Sequence, residues 1–181
     1  DLVSGDDAER RTLMLENPTM RGARRITEAL YSGLQRILPG EIAVPHRHSP
    51  SAMRMVIESE GAYTSVNGEK CDMMPGDLIL NPSWHWHGHG VESDKVHISM
   101  TCLDVPLIKF LGPAFAERWA GNTVFPDGPP QGDSPARYGA NMQPMDHQSG
   151  ASFSPIFRYP YTETKEVLMR LSAAGNIDAC H

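Results

Sequence analysis

Residues 40–90 read GEIAVPHRHSPSAMRMVIESEGAYTSVNGEKCDMMPGDLILNPSWHWHGHG. Within this stretch the short apolar runs Glu41–His48, Ala52–Glu60, Ala62–Val66, Lys70–Met74, Asp77–Leu80 and Trp84–His89 are separated by turn residues. The turns fall at Asn67-Gly68, Pro75-Gly76 and Asn81-Pro82. Two further runs, Leu30–Leu38 before Pro39-Gly40 and Lys95–Leu103 on the far side, carry the pattern over residues 30–104. Turn signals spaced about ten residues apart mark a β-sandwich or barrel. Asn67-Gly68 is the strongest hairpin signal, because a type I′ turn needs positive φ at both central residues. The chain is predicted to be mainly β.

Five of the eight histidines lie in the same stretch: His46 and His48, then His85, His87 and His89. Side chains two apart on a strand share a face. That predicts one face for His46 and His48 and another for His85, His87 and His89. Trp84 and Trp86 would then point away, with Trp86 filling core on the opposite side. Two imidazoles from one strand and one from its neighbour can meet inside a barrel. Imidazole is uncharged near neutral pH and is the commonest side-chain metal ligand. A surface histidine pair beside an aromatic edge fits the bare spacing too, so the flanking residues have to decide.

Outside residues 30–104 the character changes. Residues 1–29 read as an N-terminal arm, with a short element over Glu9–Glu16 ended by Asn17-Pro18 and Arg21-Gly22. Residues 105–181 read as a helix and loop connector. Leu107, Phe110, Leu111, Phe115 and Trp119 recur at helical spacing over Val105–Ala120, interrupted by Gly112-Pro113. Residues 121–155, rich in Gly, Pro, Asp and Ser, read as a long surface loop. Thr162–Ala174 is predicted to be a helix with Thr162 as cap, an apolar stripe of Val167, Leu168 and Leu171, and Gly175 closing it. The chain opens at Asp1 rather than Met and stops soon after that helix, so it is expected to be a piece of a longer protein.

Composition sets the outer limits. The 181 residues are 40% hydrophobic, enough to bury the core of one domain. Gly (16) and Pro (15) favour many turns over a helical bundle. A net charge of −6 with no Lys/Arg cluster argues against nucleic-acid binding. No apolar stretch approaches the ~20 residues of a membrane span, and no secretory pattern opens the chain. Three cysteines at unrelated spacings (Cys71, Cys102, Cys180) point to a reducing cytoplasm rather than a disulfide scaffold.

The first histidine pair sits in Gly40-x5-His46-x-His48, followed by Arg54 and Gly61. The second group follows Pro75-Gly76-Asp77 and sits in Pro82-x4-His87. These spacings resemble the two motifs of the cupin superfamily, small jelly-roll β-barrels that hold a metal. In that pattern His46, His48 and His87 are the ligands. The Glu usual six residues beyond the second histidine is Arg54 here, and the glycine usual in the second motif is Trp84. Three neutral imidazoles would leave a divalent ion its full charge and three open octahedral positions. A cation in the Glu slot facing the cavity calls for an anion, which a substrate carboxylate would supply. An internal salt bridge to Asp or Glu, or an outward-facing side chain, is the alternative for Arg54.

The resemblance then narrows. Leu30-Tyr31-Ser32-Gly33-Leu34-Gln35, Ser51-Ala52-Met53-Arg54, Glu60-Gly61-Ala62-Tyr63-Thr64, Pro82 to Gly90 and Leu103-Asp104-Val105-Pro106-Leu107 together resemble the N-terminal half of the gentisate 1,2-dioxygenase family. That family includes salicylate and 1-hydroxy-2-naphthoate dioxygenases. Asp133 to Gly139 and Ser154 to Tyr161 are similar to its inter-domain connector. Residues 105–181 would thus lead toward a second cupin that is mostly absent. His85, and Met100-Thr101-Cys102, depart from the family pattern near the cavity and leave the identity of the aromatic acid open.

What the resemblance implies is an Fe(II)-dependent dioxygenase that cleaves the ring of an ortho-hydroxylated aromatic carboxylate with O2, gentisate giving maleylpyruvate. His46, His48 and His87 would hold the iron and Arg54 the substrate carboxylate. Gln35 would bond a substrate oxygen, or be a satisfied buried amide. His89 would meet oxygen or move a proton, or else support a ligand. Tyr31 and Trp84 would pack on the ring. The family implies a homotetramer. The rival readings are a cupin isomerase using Zn²⁺ or Mn²⁺, which usually keeps the Glu, and a non-enzymatic metal- or small-molecule-binding cupin.

Overall fold

The computed structural model describes residues 11–139 and 156–175. Eleven strands form two antiparallel sheets. They are β1 Thr12–Leu15, β2 Tyr31–Ile37, β3 Ile42–His48, β4 Ala52–Glu58, β5 Ala62–Val66, β6 Glu69–Asp72, β7 Leu78–Asn81, β8 His87–Val91, β9 His97–Leu103, β10 Ala116–Arg118 and β11 Arg158–Tyr159. One sheet runs β1-β2-β9-β4-β7-β11, the other β10-β3-β8-β5-β6. Each of the eight apolar runs read from the sequence contains one of the strands β2 to β9 or most of it. Asn67 (φ 47) and Gly68 (φ 84) make the tight turn between β5 and β6, with Val66 opposite Glu69. At one end of the barrel Ile37, Val56, Ala62, Met73, Ile79 and Val91 form the apolar core. The other end is lined with polar residues.

Register places the inward-facing residues of the six-stranded sheet in rows. Asn81, Ala52, Leu103 and Tyr31 lie side by side in one row. Ile79, Arg54, Thr101 and Gly33 form the next, then Val56, Ser99 and Gln35. Every second residue of a strand faces inward, so the rows follow from the pleat.

The flanks differ from their sequence reading in several places. The arm supplies β1, which pairs with β2, and Arg11 donates to both carboxylate oxygens of Glu41 (2.6 and 3.0 Å). Helix α1, Val105–Leu111, stops at Gly112 in the left-handed region (φ 98), and the chain then forms β10 against β3 instead of more helix. The edge of β3 offers hydrogen bonds that the apolar spacing of Phe115 and Trp119 does not reveal. Helix α2, Asp133–Tyr138, forms within the expected loop, its Ser134 N–H and Oγ–H donating to the buried carboxylate of Glu69. Helix α3, Tyr161–Ala173, starts one residue early. Pro160 stands at its N-cap without a side-chain bond, so Thr162 is inside the helix and does not cap it. β11 pairs with β7, fixed by Arg158 Nε donating to Asp77 (2.8 Å). Residues 140–155 of the loop expected over 121–155, and the terminal stretches 1–10 and 176–181, lie outside the described residues. No helix among the described residues is long and apolar enough to cross a membrane.

Candidate metal centre

His46 and His48 end β3, and His46 lies directly opposite His87, the first residue of β8. The register of β3 shifts between Ala43 and His46, the step that contains Val44 and Pro45. Proline cannot donate to the ladder and is placed where pairing is broken, and the extra residue re-aims the side chains beyond it. The three histidines meet here. Ligand atoms of His46, His48 and His87 all lie within 4.8 Å of one another, with ring centroids 4.5 to 5.5 Å apart.

The tautomers follow from the neighbours. His46 Nδ1 lies 3.2 Å from the Val44 carbonyl, His48 Nδ1 2.6 Å from that of Pro50, and His87 Nδ1 2.8 Å from that of His85. A carbonyl only accepts, so each Nδ1 carries the proton and each Nε2 keeps its lone pair. Such outer hydrogen bonds orient imidazole ligands and raise their basicity. Burial, reinforced by His46 and His48, holds the His87 pKa well below the usual histidine value, so it stays uncharged. This donor set fits a divalent transition metal: three neutral nitrogens on one side, with no carboxylate among the residues of the cluster.

Beside the cluster is a cavity of about 320 Å³ whose walls include Tyr31, Gln35, Arg54, Asn81, His89 and Thr101. Arg54 is 5% exposed and reaches across the cavity floor from β4. Its Nη1 donates to Gln35 Oε1 and to Ser99 Oγ (2.9 Å), and its Nη2 donates to His89 Nε2 on the facing sheet (2.8 Å). Three of the five guanidinium N–H groups are thus engaged, and the Nε–H has no partner. No carboxylate pairs with Arg54 among the described residues. Burial pulls its pKa down to about 10, which leaves it charged at neutral pH.

His89 is buried with both nitrogens engaged. Since Arg54 can only donate, His89 Nε2 is the acceptor, and Nδ1–H faces Thr64 Oγ1 (2.8 Å). Thr64 Oγ1–H in turn donates to the Gly88 carbonyl (3.1 Å). Desolvation, with the Arg54 charge second, keeps the His89 pKa well below the usual value.

Two aromatic expectations are corrected. Trp84 does not line the cavity, and Trp86 is only half-buried. β8 begins at His87, so strand alternation does not extend back to residues 84–86, and Trp84 has positive φ (62°). Arg47 points outward between its two histidine neighbours and draws both rings to its guanidinium, 4.4 Å from each, while also bonding Glu117 (2.6 Å). For the same reason His85 does not share the face of His87. Its Nδ1 lies 2.9 Å from the Ser83 carbonyl, and it lines a neighbouring cavity. Thr101, from the Met100-Thr101-Cys102 stretch expected near the cavity, does line it, and Asn81 is a cavity residue that the sequence reading missed.

A Cupin domain family pattern matches residues 33–105. Gentisate 1,2 dioxygenase 1 of Aquipseudomonas alcaligenes is 48% identical over 99% of this chain and 52% of its own length. The gentisate 1,2-dioxygenase of a Ralstonia species is 39% identical over 96% of the chain and 48% of its own length. Among solved structures, a variant of salicylate 1,2-dioxygenase from Pseudoaminobacter salicylatoxidans in complex with gentisate superposes with a TM-score of 0.85. It is 32% identical and the match covers 96% of this chain and 49% of that one. The chain spans about half the length of these relatives. Over nearly its whole length the chain is thus similar, in sequence and in fold, to about half of a gentisate or salicylate 1,2-dioxygenase, with a cupin domain over residues 33–105.

Proposed function

We propose that the chain carries the metal- and substrate-binding part of an Fe(II)-dependent dioxygenase that opens the ring of an ortho-hydroxylated aromatic carboxylate, gentisate first among candidates. The observation that carries this is Arg54, a buried cation without a carboxylate partner among the described residues, facing the cavity beside three convergent histidines. An unpaired buried charge is costly, and an anionic ligand that completes it removes the cost. Two unengaged guanidinium N–H groups are enough for both oxygens of one carboxylate. Iron held by His46, His48 and His87 would supply Lewis acidity and electron transfer toward O2.

The remaining roles belong to the chain's own side chains. Arg54 fixes the carboxylate, and Gln35 and Ser99 fix Arg54. Tyr31 forms the cavity wall against the ring. His89 acts through Arg54 rather than on oxygen, because its two nitrogens are already held by Arg54 and Thr64. With gentisate the bond between the carboxyl-bearing and hydroxyl-bearing carbons would break, both atoms of O2 entering the product, maleylpyruvate. Family resemblance supports a homotetramer, and the three scattered cysteines support a reducing cytoplasm.

The test is oxygen uptake by protein purified anaerobically and supplied with Fe(II), over a panel of gentisate, salicylate and 1-hydroxy-2-naphthoate. Uptake matched by absorbance of a ring-opened product supports the proposal. Bound zinc or manganese without uptake would favour an isomerase, and no bound metal would favour a binding protein.

A further inference from the structure

Asn81, the last residue of β7, is 1% exposed, and neither Nδ2 nor Oδ1 has a hydrogen-bond partner among the described residues. Leaving a buried amide unpaired is costly, so such groups call for an explanation. Its position supplies one. Asn81 borders the cavity beside the histidine cluster, in the row of Ala52, Leu103 and Tyr31, one row along the sheet from Arg54. Successive inward rows are about 6.7 Å apart, on the scale of one aromatic ring with a substituent. Thr101 Oγ, in the Arg54 row, also lacks a partner and borders the same cavity. The cavity therefore has a charged row, where Thr101 lies beside Arg54, and an uncharged row, where Asn81 and Tyr31 are the polar members.

We propose that Asn81 is a specificity-determining residue that reads a second polar substituent on the ring of the aromatic acid. This deepens the proposed function and rests on it. A primary amide donates and accepts at once, so it suits a hydroxyl or amino group, each of which does the same. An acid without that substituent would leave the amide unpaired and bind less well. The site thereby favours salicylates that carry a second hydroxyl or amino group on the ring over salicylate itself, while Arg54 serves all of them equally.

The experiment measures anaerobic equilibrium binding of gentisate and salicylate to the Fe(II)-loaded protein and to Asn81→Leu, by quenching of tryptophan fluorescence. Oxygen uptake is recorded separately. The expected result is a gentisate-to-salicylate affinity ratio that falls about ten- to a hundredfold in Asn81→Leu, with salicylate affinity held or improved. Removing an unpaired buried amide should also hold or raise Tm. An unchanged ratio overturns the proposal, and so does a large fall in Tm, which would show that the amide has partners within the fold. Should Asn81→Leu not fold, Asn81→Ala reads the same ratio. Binding with the expected ratio but no oxygen uptake would sink the dioxygenase reading and leave the role of Asn81 intact. Uptake with an unchanged ratio would do the reverse.

Discussion

Arg54→Met keeps most of the side-chain volume and removes the charge. Three acceptors lose their donor: Gln35 Oε1, Ser99 Oγ and His89 Nε2. The ligand loses more. A charge-assisted hydrogen bond contributes about 1.5–3 kcal/mol, and 1.4 kcal/mol is tenfold in affinity. If the substrate carboxylate takes one of the two unengaged N–H groups, its dissociation constant should rise about ten- to a hundredfold. If it takes both, the rise should be about a hundred- to ten-thousandfold by the same arithmetic. The variant should keep its metal, since arginine is not a ligand. Three measurements decide it: metal content by elemental analysis, anaerobic titration with the acid, and KM from oxygen uptake. Arg54→Lys, which keeps the charge but not the planar fork, should recover part of the loss. A folded, metal-loaded Arg54→Met protein with unchanged affinity and KM would refute the assignment of Arg54 to the carboxylate.

Removing one of the three ligands in His87→Ala should lower iron affinity by more than the ~10–100-fold typical of outer-shell changes, seen as substoichiometric iron after dialysis. Full retention of iron would place the metal elsewhere. Thr64→Val removes the group that faces His89 Nδ1–H and should raise KM for the acid several-fold with iron content intact. A change in Tm with no change in KM would make Thr64 merely structural. His97 is fully buried with neither ring nitrogen partnered, and burial pulls its pKa down to about 4. Its neutral form is the one the fold prefers. The stability this contributes is complete above about pH 6.5 and is lost as pH falls toward 4, some 3 kcal/mol in all. Urea unfolding of wild type and His97→Leu from pH 7 to pH 4 should show a gap that changes by that order, and parallel curves would contradict it.

The strands were legible because their apolar residues and turns are local signals, and Asn67-Gly68 admits few conformations other than the hairpin it makes. The convergence of the three histidines was legible because His46 and His48 are two apart on a real strand, with His46 opposite His87. Reading failed where alternation was carried past the strand's end, at Trp84, Trp86 and His85, whose positions are set by Arg47 and a turn of positive φ. β10 and β11 owe their form to edges supplied by β3 and β7, distant in sequence. Asn81 stands before a proline and reads as turn punctuation, and only the fold reveals that its amide is enclosed and unpaired.

All three ligand imidazoles are aimed by main-chain carbonyls, those of Val44, Pro50 and His85, whereas the far wall of the cavity is made of side chains from the other sheet. A carbonyl persists whatever residue bears it. In the proposed enzyme, substitution at Asn81, Thr101 or Tyr31 would therefore redraw the choice of aromatic acid without touching the bonds that orient the three imidazoles. The two tasks would then be separable by inheritance: these wall positions could diversify while Arg54 and the histidine strands stayed constant.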